Sequence, residues 1–430
     1  MPDLLHHRLI EPRFAEALED SPVVLIEGPR QCGKTTFAQM VCAPAFLPEG
    51  VAARGASDRG YTYLNFDDNV VRAGAEADPM GFIAELPERV VLDEVQRVPE
   101  LFTALKLAVD RRRVPGRFVL TGSTQVLAVP AIAESLAGRL ETVRLHPLAQ
   151  YELEPDRAAT GGFIDALFGA GFAPGQAERL GPALADRIVA GGYPPALARP
   201  AGRRRTNWYR NFIDAQVQRD VGELARIASL EALPRLLTLA ATQTGRLFNL
   251  STLASQFQLS RPTIGSYVTL LQRVYLLELL PPWYSNRGKR LIKTPKLHLG
   301  DTGLACALLG VSAAALRRDR PLLGHLLETF VFQELRRQAT WHEEPIEFFH
   351  FRDKDQAEVD IVLEAGGRVA GVEVKAGGTV TASDFRGLRK LRDASGGRFT
   401  TGVVLYDGET SVGFGERLYA VPVRYLWEPR

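Results

Sequence analysis

Hydrophobic and polar positions change rhythm along this chain, and each change predicts a different kind of structure. Through about residue 145, short apolar runs alternate with stretches of helical spacing. Pro22-Val23-Val24-Leu25-Ile26, Arg89-Val90-Val91-Leu92, Arg117-Phe118-Val119-Leu120-Thr121 and Thr142–Leu145 are short and lack a wet side, as strands covered on both faces do. Such strands with helices between them predict an open, mostly parallel α/β sheet. From Leu148 to about Leu230 the spacing turns helical, with loops at Gly161-Gly162 and Gly171–Gly175.

After residue 230 the pattern predicts a small helix-turn-helix unit. Ser251–Phe257 places Leu253, Ala254 and Phe257 on one side, Leu259-Ser260 turns, and Pro262 opens a second helix carrying Ile264, Val268 and Leu271. Ser260 suits the N-cap and Pro262 the first turn. Val274–Leu280 reads as a strand and Ser285-Asn286-Arg287-Gly288-Lys289-Arg290 as a basic hairpin tip, which together make a winged helix. Arg261, Thr263, Ser266 and Tyr267 are the set expected to face a DNA groove or phosphates. Winged helices also dock proteins, so this shape alone does not name the partner. Farther on, Glu358–Leu363 alternates, Gly366-Gly367 turns, and Gly371–Lys375 alternates back, which puts Asp360, Glu373 and Lys375 on one face of a hairpin.

The candidate chemistry sits at the ends of these runs. Gly28-Pro29-Arg30-Gln31-Cys32-Gly33-Lys34-Thr35-Thr36 follows the first strand and fits G-x-x-x-x-G-K-[ST], a phosphate loop between strand and helix. Its backbone N–H groups would cradle phosphate, Lys34 would meet the β- and γ-phosphates, and the Thr35 hydroxyl would ligate Mg²⁺. The second strand ends in Asp93-Glu94. Asp93 would hold the metal and Glu94 would act as general base on the attacking water. The third strand ends in Thr121-Gly122-Ser123-Thr124, and Thr121 or Ser123 is the candidate polar sensor of the γ-phosphate. Arg139, in Glu134-Ser135-Leu136-Ala137-Gly138-Arg139, is the candidate finger toward a neighbouring subunit's nucleotide, against the default of a surface arginine.

In the hairpin, Asp360 and Glu373 are the candidate Mg²⁺ ligands and Lys375 the group that positions water, a D…ExK arrangement like that of restriction-type nucleases. Glu328, in the helical segment Leu326–Leu335 with Phe330 and Phe332, is the candidate upstream acid. Any half-buried hairpin also shows charges on its wet face. Arg203-Arg204-Arg205 with Trp208, Tyr209, Arg210, Phe212 and Arg219 has two readings. It is a grip on a nucleic-acid backbone, or an amphipathic helix with aromatic core and arginine surface.

These segments resemble bacterial and archaeal AAA-type ATPases that carry a C-terminal restriction-endonuclease-like domain of unknown function. The matching text is GPRQCGKTT, YLNFDD at Tyr63–Asp68, VVLDEVQRVPEL at Val90–Leu101, LTGST, ESLAGR, GGYPPAL near Gly191, DTGL and VEVKAG. Two departures are Cys32, where a small aliphatic is commoner, and Pro195, in place of an acid. The resemblance implies an AAA-like core using ATP, carried by Lys34, Thr35, Asp93 and Glu94. The expected organisation is an α/β P-loop AAA-type core over 1–147, a helical lid over 148–230, a winged helix over 231–300 and a restriction-endonuclease-like α/β domain over 301–430. The expected function is Mg²⁺-dependent ATP hydrolysis that drives or switches action on DNA, by remodelling or translocation, as a homo-oligomeric ring with a hexamer as a candidate size. The alternatives are an ATP-regulated nuclease and a signalling or scaffold ATPase with protein-binding terminal domains.

Composition bounds this picture. The 430 residues are too many for one ordinary core. Lys and Arg total 52 against 50 Asp and Glu, so no global charge favours a polyanion and basic clusters are judged locally. Cys32, Cys42 and Cys306 lie far apart without metal-ligand spacing, which argues against a disulfide scaffold. No run approaches the ~18 apolar residues that span a bilayer, and the N-terminal segment lacks a signal-length apolar core. The expectation is a soluble, cytoplasmic protein with no membrane partner.

Overall fold

The computed structural model describes residues 5–44, 59–123, 136–154, 162–217, 232–285 and 294–428. The chain divides into two compact units. The first comprises Met1–Leu148 with Tyr193–Ala198 and Arg273–Tyr275, and the second the remainder.

The first unit is built on five strands: β1 (Val23–Glu27), β2 (Thr62–Asn65), β3 (Val90–Asp93), β4 (Phe118–Gly122) and β5 (Leu140–Arg144). They are all parallel, in the order β2-β3-β4-β1-β5. The solid apolar runs are explained by the period-2 alternation of a sheet covered on both faces. Val23, Leu25, Val90, Leu92, Phe118 and Leu120 pack with Phe102 and Leu105 of helix Leu101–Arg111 in one cluster. Val24, Ile26, Val91 and Val119 pack with Phe14, Phe37 and Met40 in the other. β4 lies between β1 and β3, so the acids that end β3 sit one strand away from the loop that follows β1.

The second unit carries a seven-stranded mixed sheet in the order β10-β11-β12-β13-β15-β14-β6. These strands are β6 (Gly175–Gln176), β10 (Glu347–Arg352), β11 (Glu358–Ala365), β12 (Arg368–Lys375), β13 (Phe399–Tyr406), β14 (Thr410–Gly413) and β15 (Leu418–Pro422). β11 and β12 form the expected antiparallel hairpin, turning at Gly366-Gly367, where both residues have positive φ. The region expected to be wholly helical differs in one place. Its Gly175–Gln176 pairs antiparallel with β14, so residues 149–192 group with the C-terminal sheet. A helix of 20 residues, Arg320–Ala339, is buried along most of its length and is capped by Asp319, whose carboxylate accepts from Leu322 N.

Also in the second unit, β7 (Arg246–Leu247), β8 (Leu277–Leu280) and β9 (Lys296–Leu299) form an antiparallel sheet in the order β7-β9-β8. Along the chain the order is helix Ala232–Thr242, β7, helices Leu250–Phe257 and Arg261–Arg273, then β8 and β9. The strand expected from Val274 begins only at Leu277, because Tyr275 takes a left-handed φ of 61°, outside the β region of a regular strand. The basic tip at 286–290 and the Arg219-Asp220 pair lie outside the described residues. Among the described residues no helix is long and apolar enough to cross a membrane.

Candidate functional site

The loop that follows β1 is shaped by what its glycines permit. A Cβ at Gly28 would lie 2.0 Å from the Leu145 carbonyl oxygen, so the turn can pass β5 only without a side chain. Gly33 has φ of 102° and directly precedes helix Lys34–Cys42. The loop is tied down by Arg8, which donates to the carbonyls of Cys32 (3.0 Å) and His146 (2.6 Å). The Cys32 thiol donates to Leu145 O at 3.3 Å, and burial pushes its pKa up. Cys32 is thus an inert packing thiol beneath the loop. Arg30 is partly buried, Gln31 is exposed with a left-handed φ of 59°, and Thr36 is partly buried in the first helical turn. Lys34 points back over the loop, where its ammonium donates to the carbonyls of Gly28 (3.0 Å) and Pro29 (2.9 Å).

Across the edge of the sheet, Asp93 is 1% exposed and meets three hydroxyls. Thr35 Oγ1 donates to Asp93 Oδ2 at 2.9 Å and Tyr63 OH to the same oxygen at 2.6 Å, while Thr121 Oγ1 donates to Oδ1. Burial raises the Asp93 pKa, and the hydroxyl donors pull it back. Tyr63 is raised by burial and by the Asp93 charge, so it stays a neutral donor. Glu94 has a left-handed backbone, φ 59° and ψ 43°, and its N–H donates to Thr121 Oγ1 at 3.0 Å. Its carboxylate accepts from Gln96 Nε2, which also donates to Ser123 Oγ at 3.1 Å. The two sensor candidates are therefore both engaged: Thr121 with the acidic pair, and Ser123 with Glu94 through Gln96.

The structure thus brings Lys34, Thr35, Asp93, Glu94, Thr121 and Ser123 to one edge. It does not bring Arg139 there. Arg139 O accepts from Val23 N at the opposite end of β1, about 16 Å away at ~3.3 Å per residue. Its guanidinium makes a two-pronged ion pair with Asp110, at 2.5 and 3.1 Å. Tyr63 and Gln96 were not identified as site residues from the sequence. The signal available for Tyr63 was a tyrosine in a strand beside the acidic strand, which alone does not say where its hydroxyl points. The Thr35 and Asp93 oxygens, with neutral hydroxyls around them, are the hard donor set that suits Mg²⁺.

A second cluster lies in the other unit. Lys296 Nζ is 2.9 Å from Glu328 Oε1, 2.7 Å from Glu358 Oε1 and 3.0 Å from Asp360 Oδ1. Asp360 Oδ2 accepts from Val374 N at 2.9 Å, and Lys375 donates to Glu373 Oε1 at 2.9 Å. Burial works against charge on Lys296, but Asp360, Glu328 and Glu358 hold its pKa well above the usual lysine value. Burial likewise works to raise Asp360, and Lys296 overrules it, leaving that carboxyl low. Burial and the Asp360 charge push Glu373 up to about 8. Asp360 and Glu328 thus meet around Lys296, with Glu358, while Glu373 pairs with Lys375.

Two other segments resolve as follows. In helix Arg203–Gln216, Tyr209 and Phe212 are buried and Trp208 stacks on Phe212 at 5.1 Å, so the aromatics are core, and Arg203, Arg204 and Arg210 lie on the wet face. In helix Arg261–Arg273, Tyr267 is 5% exposed and belongs to the core, which leaves Arg261 and Ser266 of the proposed reading face exposed and Thr263 partly covered. Ser260 accepts from Thr263 N at 3.2 Å as an N-cap should.

Comparison with known proteins fits this picture. A family model described as an AAA domain matches residues 20–154. Two domains of unknown function match later segments, DUF8612 over 181–315 and DUF4143 over 323–426. An uncharacterized protein of Mycobacterium bovis and another of Mycobacterium tuberculosis are each 31% identical over 422 residues, covering 97% of this chain and 84% of the relative. The solved structure of protein VC1899 from Vibrio cholerae aligns over 95% of this chain and 96% of its own, at 11% identity and a TM-score of 0.20, too low for any likeness of fold to follow. The chain belongs to the same family as the uncharacterized mycobacterial proteins, and its AAA domain, with the phosphate loop and acidic pair at one sheet edge, makes that an AAA-type ATPase family.

Proposed function

We propose that the chain hydrolyses ATP with Mg²⁺ and couples that hydrolysis to action on DNA. The observation that carries the first part is the meeting of Thr35 and Asp93, 58 residues apart in sequence and 2.9 Å apart in space. In this reading Lys34 leaves its two carbonyl partners to contact the β- and γ-phosphates, and loop N–H groups hold the remaining oxygens. Thr35 and Asp93 hold Mg²⁺, which supplies charge neutralisation at the phosphates. Glu94 takes the proton of the attacking water, and Gln96 with Ser123 sets where its carboxylate points. Glu94→Gln tests this: nucleotide binding by calorimetry should persist while turnover falls about 10²- to 10⁴-fold. Normal turnover in that variant would remove Glu94 as the base.

What supports DNA as the target is the order helix, strand, two helices, two strands over residues 232–299, which we read as a winged helix presenting Arg261 and Ser266. An ATPase rate raised by single-stranded, duplex or branched DNA is the expected result. We further propose an ATPase core that ends near residue 147, a cytoplasmic location, and a ring in which Arg139 exchanges Asp110 for a neighbour's nucleotide. Specific activity that rises with protein concentration and collapses in Arg139→Ala is the check on that ring. A second reading, an ATP-regulated nuclease, draws on Asp360, Glu373 and Lys375 converging in the second unit. DNA cleavage in Mn²⁺ that disappears in Asp360→Ala would favour it.

A further inference from the structure

We propose that the Lys296 ammonium is the resident cation of the second unit's carboxylate cluster, standing where an oxygen-liganded divalent ion would bind and keeping that site closed. An ammonium has three N–H donors and no acceptor, and each donor of Lys296 finds a different carboxylate, Glu328, Glu358 and Asp360, at 2.7–3.0 Å. Lys296 is 2% exposed, so this is a buried charge placed on purpose among acids and not a surface contact. Four carboxylates, counting Glu373, face two ammoniums, Lys296 and Lys375.

An independent observation points the same way. His298, two residues along β9 and 0% exposed, binds Thr329 Oγ1 through Nδ1, while its Nε2 has no hydrogen-bond partner and lies 3.9 Å from Glu328 Oε1. Glu373 Oε2 is also buried without a partner. Unsatisfied buried polar atoms are uncommon, and both of these belong to the same cluster. Among the described residues no three acids or histidines are placed to hold a metal as they stand, and it is removal of the lysine that would free carboxylate oxygens and an imidazole as donors for Mg²⁺ or Mn²⁺. With the lysine in place, its positive charge and volume exclude the ion. The inference does not rest on the ATPase reading, and it makes cutting by this unit conditional on Lys296 leaving the cluster.

The test uses the full chain without nucleotide and follows free Mn²⁺ by electron paramagnetic resonance. Wild type should show no saturable Mn²⁺ site that depends on Asp360. Lys296→Gln should bind one Mn²⁺ per chain at least tenfold more tightly than wild type, and Asp360→Asn in that background should abolish the gain. Lys296→Met, which keeps the packing of the stem, serves as the second variant, with circular dichroism and thermal melts in chelator and in Mn²⁺. Variants that fold only with Mn²⁺ support the proposal. An Asp360-dependent Mn²⁺ site in wild type, or a folded Lys296 variant without the gain, overturns it. So do variants that stay unfolded with Mn²⁺ present, since the ion then fails to replace the ammonium.

Discussion

Asp93, buried in the first unit, and Asp360, partly buried in the second, are both acids on strands, yet they are satisfied in opposite ways. The hydrogen-bond partners of Asp93 are three neutral hydroxyls, from Thr35, Tyr63 and Thr121. Hydroxyls steady a carboxylate without cancelling its charge, which leaves Asp93 able to attract a cation. Asp360 instead lies 3.0 Å from an ammonium that two further acids share. The same residue type on a strand is thus a candidate metal ligand in one unit and an internally neutralised ion in the other. The identity of the partner decides, and a pattern of acids alone does not.

Breaking the first site should have the largest effect. Lys34→Ala should lower ATP turnover by about 10²- to 10³-fold, as for loss of a transition-state charge contact, with nucleotide binding weakened in a titration. Intact turnover in that variant would detach the loop from catalysis. Breaking the second cluster should show in stability. Lys296→Ala leaves Glu328, Glu358 and Asp360 facing one another, which should cost about 3–5 kcal/mol in urea unfolding at neutral pH, against little change in nucleotide affinity. A stable Lys296→Ala chain in metal-free buffer would mean the acids are already neutral.

A gentler change sharpens the contrast at Asp93. Tyr63→Phe removes one donor from a buried carboxylate that keeps two others, so a loss of about 1–3 kcal/mol is expected by denaturant titration. A pH effect from Glu373 sharpens the contrast in the second unit. Its folded pKa, about 8, lies above its ordinary value of 4.5, so the folded chain binds the extra proton between those limits. That contribution to stability is complete below about pH 4.5 and is lost as the pH rises toward 8. Glu373→Gln should flatten the fall in unfolding free energy across that window, and an unchanged slope would assign the fall to other groups. Smallest of all, Arg139→Ala should leave the melting temperature of the isolated chain unmoved, because Asp110 is a solvent-exposed partner.

The features legible in the sequence are those carried by contiguous residues. Gly28 and Gly33 are fixed by the backbone of the turn, and Lys34 and Thr35 follow them in the contiguous motif that names a phosphate loop. The runs that became β1, β3 and β4 were legible because a strand covered on both faces has no polar positions to interrupt it. The β11–β12 hairpin followed from alternation plus two glycines.

What only the tertiary structure decided are the partners across chain distance. Tyr63 reaches Asp93 because β2 happens to lie beside β3, and Thr121 because β4 is inserted next to it. Lys296 and His298 alternate with Leu297 and Leu299, which reads as an ordinary wet face. That face is buried because helix Arg320–Ala339 covers it with Glu328, Thr329 and Phe332. Local rules specify backbone shape, whereas the neutralisation of a buried charge depends on which distant side chain packing brings within hydrogen-bond reach, and no local pattern encodes that.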